Sequence, residues 1–157
     1  MLFRSLDSED GAMGCTKSHK KCMEYAIKEN LYNVLIIEDD YKFMENIEIF
    51  NKTLCSFLFD IPDYDLLLLH YSIHGPPIIL KTNYNNLYKN LWSQSAAAFL
   101  VNNKFFNTRL SNLNKVIKYN KGPCDFYWNE NKVNYNIYAL DNLNGSQIDS
   151  YSDIEKK

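Results

Sequence analysis

Three consecutive carboxylates, Glu38, Asp39 and Asp40, follow directly on a run of branched apolar residues, Val34–Ile37. This run predicts a strand that is buried on both faces within a parallel α/β sheet. Because unpaired carboxylates are too costly to bury, we expect the acids at the carboxyl end of the strand, where open α/β sheets place their ligands. Mg²⁺ and Mn²⁺ prefer oxygen ligands of this kind and often bridge to substrate phosphates. The alternative is a solvated acidic turn that caps the following helix.

Ser18 and His19 could join these acids. They follow a loop with two glycines, Gly11 and Gly14, and stand early in a helix that is expected to begin at Thr16 or Ser18. A helix N-terminus binds anions, so the pair could meet a phosphate group. The alternatives are that Ser18 only caps the helix and that His19, on the apolar stripe, is a satisfied core histidine.

Two more polar residues end or begin predicted elements. His70 ends a second apolar strand, and a strand–helix–strand unit with a parallel pair would bring it to the same sheet edge as the acids. A plain strand-end histidine is the alternative. Asp125 stands near the start of a short aromatic helix, where it could act as a general base or only cap that helix.

The periodicity of apolar residues predicts one α/β domain with a mostly parallel sheet flanked by helices. Residues 1–14 are predicted to be a loop, 83–90 an exposed loop, and 141–157 a polar tail. The aromatics Tyr84, Tyr88 and Trp92 could stack on a sugar or base, or pack down the loop. The predicted helices cover 16–30, 43–61, the segment from Asn102 to the Gly122-Pro123 break, and 125–130. The predicted strands cover 34–37, 64–70, 95–101 and 135–140, with a further short strand possible at 78–80.

Composition excludes several classes of protein. The 157 residues are 46% hydrophobic and 23% charged, which is typical of a globular chain and not of a disordered one. A net charge of −2 argues against a nucleic-acid partner. No apolar run approaches the roughly 20 residues of a membrane helix, and Met1–Arg4 is too short for a signal peptide. The four cysteines form no CxxC pair, so the sequence predicts reduced thiols in a cytoplasmic protein and no zinc site.

The ordered set of motifs resembles glycosyltransferase family 25. That family includes bacterial lipooligosaccharide galactosyltransferases of LPS biosynthesis, collagen galactosyltransferases and relatives in large DNA viruses. The resemblance begins with Gly11-x-x-Gly14-Cys15-x-x-Ser18-His19 and Leu35-Ile36-x-Glu38-Asp39-Asp40. It continues with Tyr64-Asp65-Leu66-Leu67, Ser95–Val101, Pro123-x-Asp125-x-Tyr127 and Asn142-Leu143…Gln147…Ser152-Asp153-Ile154.

This resemblance implies a GT-A-like fold and transfer of a hexose from a nucleotide-sugar, usually UDP-galactose or UDP-glucose. The acceptor would be a glycan or a hydroxylated protein. Family members open with a further strand, of the Ile-x-Leu-x-Arg-x-x-Arg type, in their nucleotide-sugar-binding half. No such strand is recognisable before Gly11, so we expect an N-terminally truncated form of the domain.

The resemblance also assigns roles to residues. Glu38 and Asp40 would ligate Mn²⁺ or Mg²⁺, because on a strand they point to one side and mimic the Asp-x-Asp signature of GT-A enzymes. Asp39 would point to the other side and is a donor-binding candidate or a helix cap. Ser18, His19, Glu38 and Gln147 are further donor-binding candidates, and Asp125 is the candidate general base of an inverting reaction. Ser152 and Asp153 would close over the site with Gln147.

Three functions compete at this stage. The first is an active, metal-dependent glycosyltransferase in the cytoplasm, or in the host cytoplasm if the gene is viral. The second is a non-catalytic binding or scaffold protein that kept the fold. The third is a metal-dependent phosphoesterase or kinase-like enzyme, against which the lack of a P-loop motif and of a second acid cluster counts.

Overall fold

A computed structural model describes residues 11–72, 74, 76, 78–82, 85–89, 93, 95–120, 124, 125, 128, 134–143 and 145–148. Three helices are present in these ranges: α1 (Gly11–Lys28), α2 (Ile47–Asp60) and α3 (Phe106–Tyr119). The first five strands are β1 (Asn33–Ile37), β2 (Tyr41–Lys42), β3 (Leu66–Leu68), β4 (Ile78–Thr82) and β5 (Asn85–Lys89). The last three are β6 (Ala98–Asn102), β7 (Ile137–Leu140) and β8 (Ser146–Gln147).

Six strands form one mixed sheet in the order β1-β6-β3-β7-β5-β4. Among the described residues, this sheet has five strand pairings, of which only β3–β7 is parallel and the other four are antiparallel. The prediction of a mostly parallel sheet was therefore wrong, whereas the prediction of a single α/β domain agrees with the structure. The error has a physical cause, because an apolar run reports that a strand is buried and not the direction of its neighbour.

β1 and β3 point the same way without being paired. β6 lies between them and is antiparallel to both, with Leu100 opposite Leu35 on one side and Leu67 on the other. The carboxyl ends of β1 and β3 therefore lie on the same side of the sheet, which is called its carboxyl edge below. The strand–helix–strand order predicted this arrangement. Glu38 and His70 follow these two strands and so lie at that edge.

β1 is an edge strand, and the prediction that it is buried on both faces was wrong. Ile36 is 7% exposed, but its neighbours Leu35 and Ile37 are 41% and 40% exposed. The burial of successive side chains alternates along the strand because only one of its faces packs on the core. A continuous apolar run does not distinguish this arrangement from a central strand.

Helices cover the two faces of the sheet. Leu66 and Leu68 pack in a core with Met23 of α1 and Leu113 of α3, while Leu67 and Leu69 face the other way, towards α2. Alternate side chains of one strand thus serve two cores. The predicted cap at Asn102 is present, because its side chain accepts a hydrogen bond from the Lys104 amide in the 3-10 turn that leads into α3.

Three of the differences between the predicted and observed boundaries change the kind of structure assigned. α1 already begins at Gly11, so the expected loop does not include residues 11–14. Residues 85–89 form β5, which pairs with β4 and β7 and is not an exposed loop. Ser146–Gln147 form β8, which pairs with β2, so the polar tail is regular at this point. Residues 1–10, Tyr84, Trp92 and residues 149–157 lie outside the described ranges, as does most of the predicted 125–130 helix.

Candidate active site

The acid triplet forms a turn between β1 and β2 at the carboxyl end of β1. The turn is anchored at its start, because the Glu38 amide donates to the Ala97 carbonyl at 2.7 Å. Glu38 and Asp40 are partly buried, whereas Asp39 is exposed. The triplet is therefore not part of a strand. The outer two acids still differ from the middle one as predicted, because Glu38 and Asp40 are more buried than Asp39.

Glu38 faces α1 and contacts two residues on it. His19 Nε2 lies 3.2 Å from Glu38 Oε1, and the Cys15 thiol donates to the same oxygen at 3.1 Å. Cys15 and His19 are one helical turn apart, so both reach the end of β1. Burial raises the pKa of Glu38, but the hydrogen bonds from His19 and Cys15 outweigh it and hold that pKa below its ordinary value. Glu38 is therefore ionised at neutral pH.

His19 is buried among these groups, as its place on the apolar stripe predicted. Its ring packs edge-on against Phe99, and Cys124 Sγ lies 3.6 Å from its Nδ1. Burial would lower the pKa of His19, but Cys124 and Glu38 outweigh it and raise the pKa to about 9. His19 thus connects the acid turn to the segment that carries Cys124 and Asp125.

Asp40 is held from the far end of the chain. Gln147 Nε2 donates to Asp40 Oδ2 at 3.0 Å, and the Ile148 amide donates to the Asp40 carbonyl at 2.8 Å. The other carboxylate oxygen, Oδ1, is buried, and no described group hydrogen-bonds it. One oxygen of Asp40 is thus fixed by the protein, and the other has no hydrogen-bond partner in the described part of the chain.

His70 lies on the same edge of the sheet, as predicted. Its Nδ1 forms a hydrogen bond with Ser95 Oγ, and its ring stands edge-on to Tyr41. Burial lowers the pKa of His70 below its ordinary value, although the nearby charges of Asp40 and Glu38 oppose this change. We therefore expect a neutral imidazole at neutral pH.

Asp125 is buried next to Cys124 in the chain. Burial raises its pKa to about 6, and the neighbouring Cys124 and Glu38 add to the shift. Ser18 lies differently from the prediction, because α1 begins well before it and places it inside the helix. Its hydroxyl donates to the Gly14 carbonyl, so Ser18 is neither a cap nor part of a helix N-terminus. The predicted closing residues Ser152 and Asp153 lie outside the described residues.

The sequence prediction missed Cys124 and Arg109. Arg109 is fully buried on α3, where its Nη1 donates to the Cys124 carbonyl at 2.6 Å and its guanidinium stacks on Trp128. The neighbouring Cys15 thiol lowers the pKa of Cys124, and His19 and Arg109 add to this against the effect of burial. Only the spacing of Arg109, three residues after buried Phe106, could have signalled its burial.

Two surface hollows of about 370 and 380 Å³ lie elsewhere, along α3 and between the end of α1 and the start of α3. None of the predicted site residues lines either of them. They are open and shallow, and their linings lack the carboxylates and imidazoles described above. The chemistry therefore points to the edge of the sheet, where Glu38, Asp40, His70 and Asp125 come together, and not to these hollows.

Gly145 keeps the Gln147 strand in place. A Cβ atom at this position would fall on the Tyr41 ring, which is buried and donates from its hydroxyl to the Leu69 carbonyl. We expect Gly145→Ala to cost about 1–3 kcal/mol of unfolding free energy through overpacking. Chemical denaturation measures this cost, with Ser146→Ala as the control. An equally stable Gly145→Ala protein would contradict this account of the contact.

The fold and the site define the class: an α/β domain with carboxylates and imidazoles grouped at the carboxyl edge of its sheet. A family model described as glycosyltransferase family 25 (LPS biosynthesis protein) matches residues 8–133, and the chain belongs to this family. The resemblance seen in the sequence is thus confirmed. No curated protein matches the chain. No helix in the described ranges is long and apolar enough to cross a membrane.

Proposed function

We propose that the protein transfers a hexose from a nucleotide-sugar, with UDP-hexose as the first candidate, to a hydroxyl group of a glycan or protein acceptor. Membership of family 25 supports the sugar-transfer class. The observation that carries the site is Asp40. Its Oδ2 accepts a hydrogen bond from Gln147, whereas its buried Oδ1 has no hydrogen-bond partner among the described residues. The GT-A-like relationship is part of the same proposal and rests on the family. The proposed cytoplasmic location rests on the four free cysteines.

The donor set suits a hard divalent cation at Asp40. A buried carboxylate oxygen without a partner is costly unless a cation or donor compensates it. Mn²⁺ or Mg²⁺ would be held there by Asp40 Oδ1, with Glu38 contributing through Oε2 because its Oε1 is engaged by His19 and Cys15. Bound there, the ion would act as a Lewis acid for the diphosphate leaving group.

Asp125 is proposed to accept the proton of the acceptor hydroxyl in an inverting reaction. Its pKa of about 6 lies close to neutral pH, where a general base is both mostly ionised and able to take a proton. The same burial that raises this pKa keeps water from the carboxylate. If Asp125 only capped its short helix, the pH dependence of transfer would not follow this pKa.

The remaining predicted residues are proposed to orient the site and the donor. Gln147 fixes one oxygen of Asp40, and His19 fixes one oxygen of Glu38, so both carboxylates are held before the donor arrives. Asp39, exposed on the same turn, is proposed to meet the sugar or ribose of the donor. Ser18, whose hydroxyl donates to the Gly14 carbonyl, stays a donor-binding candidate on the family resemblance alone.

The test is turnover of UDP-galactose and UDP-glucose by the full chain. We expect release of UDP with Mn²⁺ or Mg²⁺ and none in EDTA, at a rate that falls as the pH drops below about 6 and Asp125 becomes protonated. UDP with Mn²⁺ should also raise the melting temperature. Absence of both UDP release and this thermal shift would refute the proposal and favour the non-catalytic binding or scaffold alternative.

A further inference from the structure

Three soft or borderline ligand groups meet beside the acid turn without belonging to it. Cys15, His19 and Cys124 bring one ligand atom each to within 4.8 Å of the others. His19 and Cys124 are buried, and Cys15 is partly buried. Two of these residues lie one turn apart on α1, and the third comes from a segment more than a hundred positions later in the chain. The fold has thus assembled a cluster that no short motif encodes.

The distances suit a tetrahedral metal ion. Zn²⁺ binds sulfur at about 2.3 Å and imidazole nitrogen at about 2.0 Å, so neighbouring ligand atoms in a tetrahedron are roughly 3.3–3.8 Å apart. Cys124 Sγ and His19 Nδ1 are 3.6 Å apart, and Cys15 Sγ is 3.9 Å from the other ring nitrogen. To complete the set, Cys15 Sγ must turn from Nε2 towards Nδ1 and Cys124 Sγ. The three ligand atoms already lie within 4.8 Å of one another.

His19 is oriented in the way that metal-bound histidines are. With Nδ1 towards Cys124, its Nε2 lies 3.2 Å from Glu38 Oε1, where it can donate its proton. Metal-ligating histidines almost always give their second ring N–H to a carboxylate, a carbonyl or water, and this fixes the tautomer. Glu38 therefore acts on this cluster as the carboxylate that holds the imidazole.

A divalent ion also offsets the negative charge that the two thiols would carry. Two thiolates buried together repel each other, and a dication between them removes that cost. Glu38 and Asp125 would still carry negative charge, which the fully buried guanidinium of Arg109, bonded to the Cys124 carbonyl, offsets in part. Sulfur ligands select zinc-like ions over Mg²⁺ and Mn²⁺, so this cluster differs in chemistry from the oxygen ligands of Asp40.

We propose that Cys15, His19 and Cys124 bind Zn²⁺, with water as the fourth ligand. The ion joins α1 to the segment of Asp125 and holds that segment against the acid turn. Binding displaces the protons of the thiols and imidazole into solvent, so affinity falls as the pH falls. The proposal is independent of sugar transfer, because the site needs no donor and no acceptor.

The test is a Zn²⁺ titration of the reduced, metal-stripped full chain in competition with a chromogenic chelator. We expect one ion per chain, a raised melting temperature, and a thiolate-to-metal charge-transfer band when Co²⁺ replaces Zn²⁺. Cys15→Ser and Cys124→Ser should abolish the band and the thermal shift, whereas Cys55→Ser, at an exposed position on α2, should retain both. Glu38→Gln should weaken binding by roughly 10–100-fold.

Two outcomes would overturn the proposal. One is equal Zn²⁺ binding by wild type and the Cys15→Ser variant, which would place the ion elsewhere. The other is no Zn²⁺ binding by the reduced protein together with a Cys15–Cys124 disulfide after mild oxidation, which would make the pair a redox couple. Circular dichroism and melting in EDTA show that each variant is folded, and Cys15→Ser, at the less buried position, serves if Cys124→Ser does not fold.

Discussion

Replacing Asp40 with asparagine is expected to reduce metal-dependent release of UDP by about a thousandfold or more, which corresponds to roughly 4 kcal/mol of transition-state stabilisation. The amide keeps the size of the side chain and can still accept a hydrogen bond from Gln147 at one atom. It removes the negative charge that a hard cation requires. Steady-state kcat/KM with saturating Mn²⁺ is the measurement, and melting in EDTA should be almost unchanged.

Asp60→Asn is the matched control for this substitution. Asp60 lies at the exposed end of α2, so the same loss of one charge there should leave kcat/KM within about twofold. An Asp40→Asn enzyme that retains more than a tenth of the wild-type rate would show that the carboxylate is no metal ligand. Zinc binding by the Asp40→Asn variant should match the wild type, which separates the two metal proposals.

Replacing Arg109 with methionine is expected to cost about 3–5 kcal/mol of unfolding free energy. The guanidinium is fully buried, donates to the Cys124 carbonyl and stacks on Trp128 and Phe99. Methionine restores part of the volume but leaves the carbonyl without its donor and the negative groups around Cys124 without their cation. Urea denaturation, analysed by linear extrapolation, measures the loss.

Lys118→Met provides the control for Arg109. Lys118 is exposed in the last turn of the same helix, so its loss should change stability by no more than about 0.5 kcal/mol. A cost below about 1 kcal/mol for Arg109→Met would mean that the buried charge is not needed to hold the Cys124 segment.

Local signals in the sequence predicted the positions of the elements well. The cap at Asn102, the end of α2 before Pro62 and the placement of the acids after β1 depend on residues close in the chain. His19 was expected to be buried because the spacing of its helix put it on the apolar stripe, and it is. Periodicity carries this information because it fixes which face of an element meets the core.

Pairing and long-range contacts could not be predicted in the same way. Nothing in the residues of β6 predicts that this strand lies between β1 and β3 and runs antiparallel to both. Cys124 lies next to His19 only through tertiary packing, so the absence of a CxxC motif was no guide to the thiol cluster. The contact of Gln147 with Asp40 depends on the pairing of two-residue strands, which are too short to leave a periodic signal.

The insertion of β6 next to β1 has a consequence for biosynthesis. The strand that leads into the acid turn is complete early in translation, but its hydrogen-bonding partner is made only after α2, β3 and the β4–β5 hairpin. Until then β1 has no strand to pair with. Its apolar side chains stay exposed on the nascent chain, where chaperones and other chains can bind them. Pairings so distant in sequence form slowly. More than half of the chain must emerge from the ribosome before the acid turn can take its final shape.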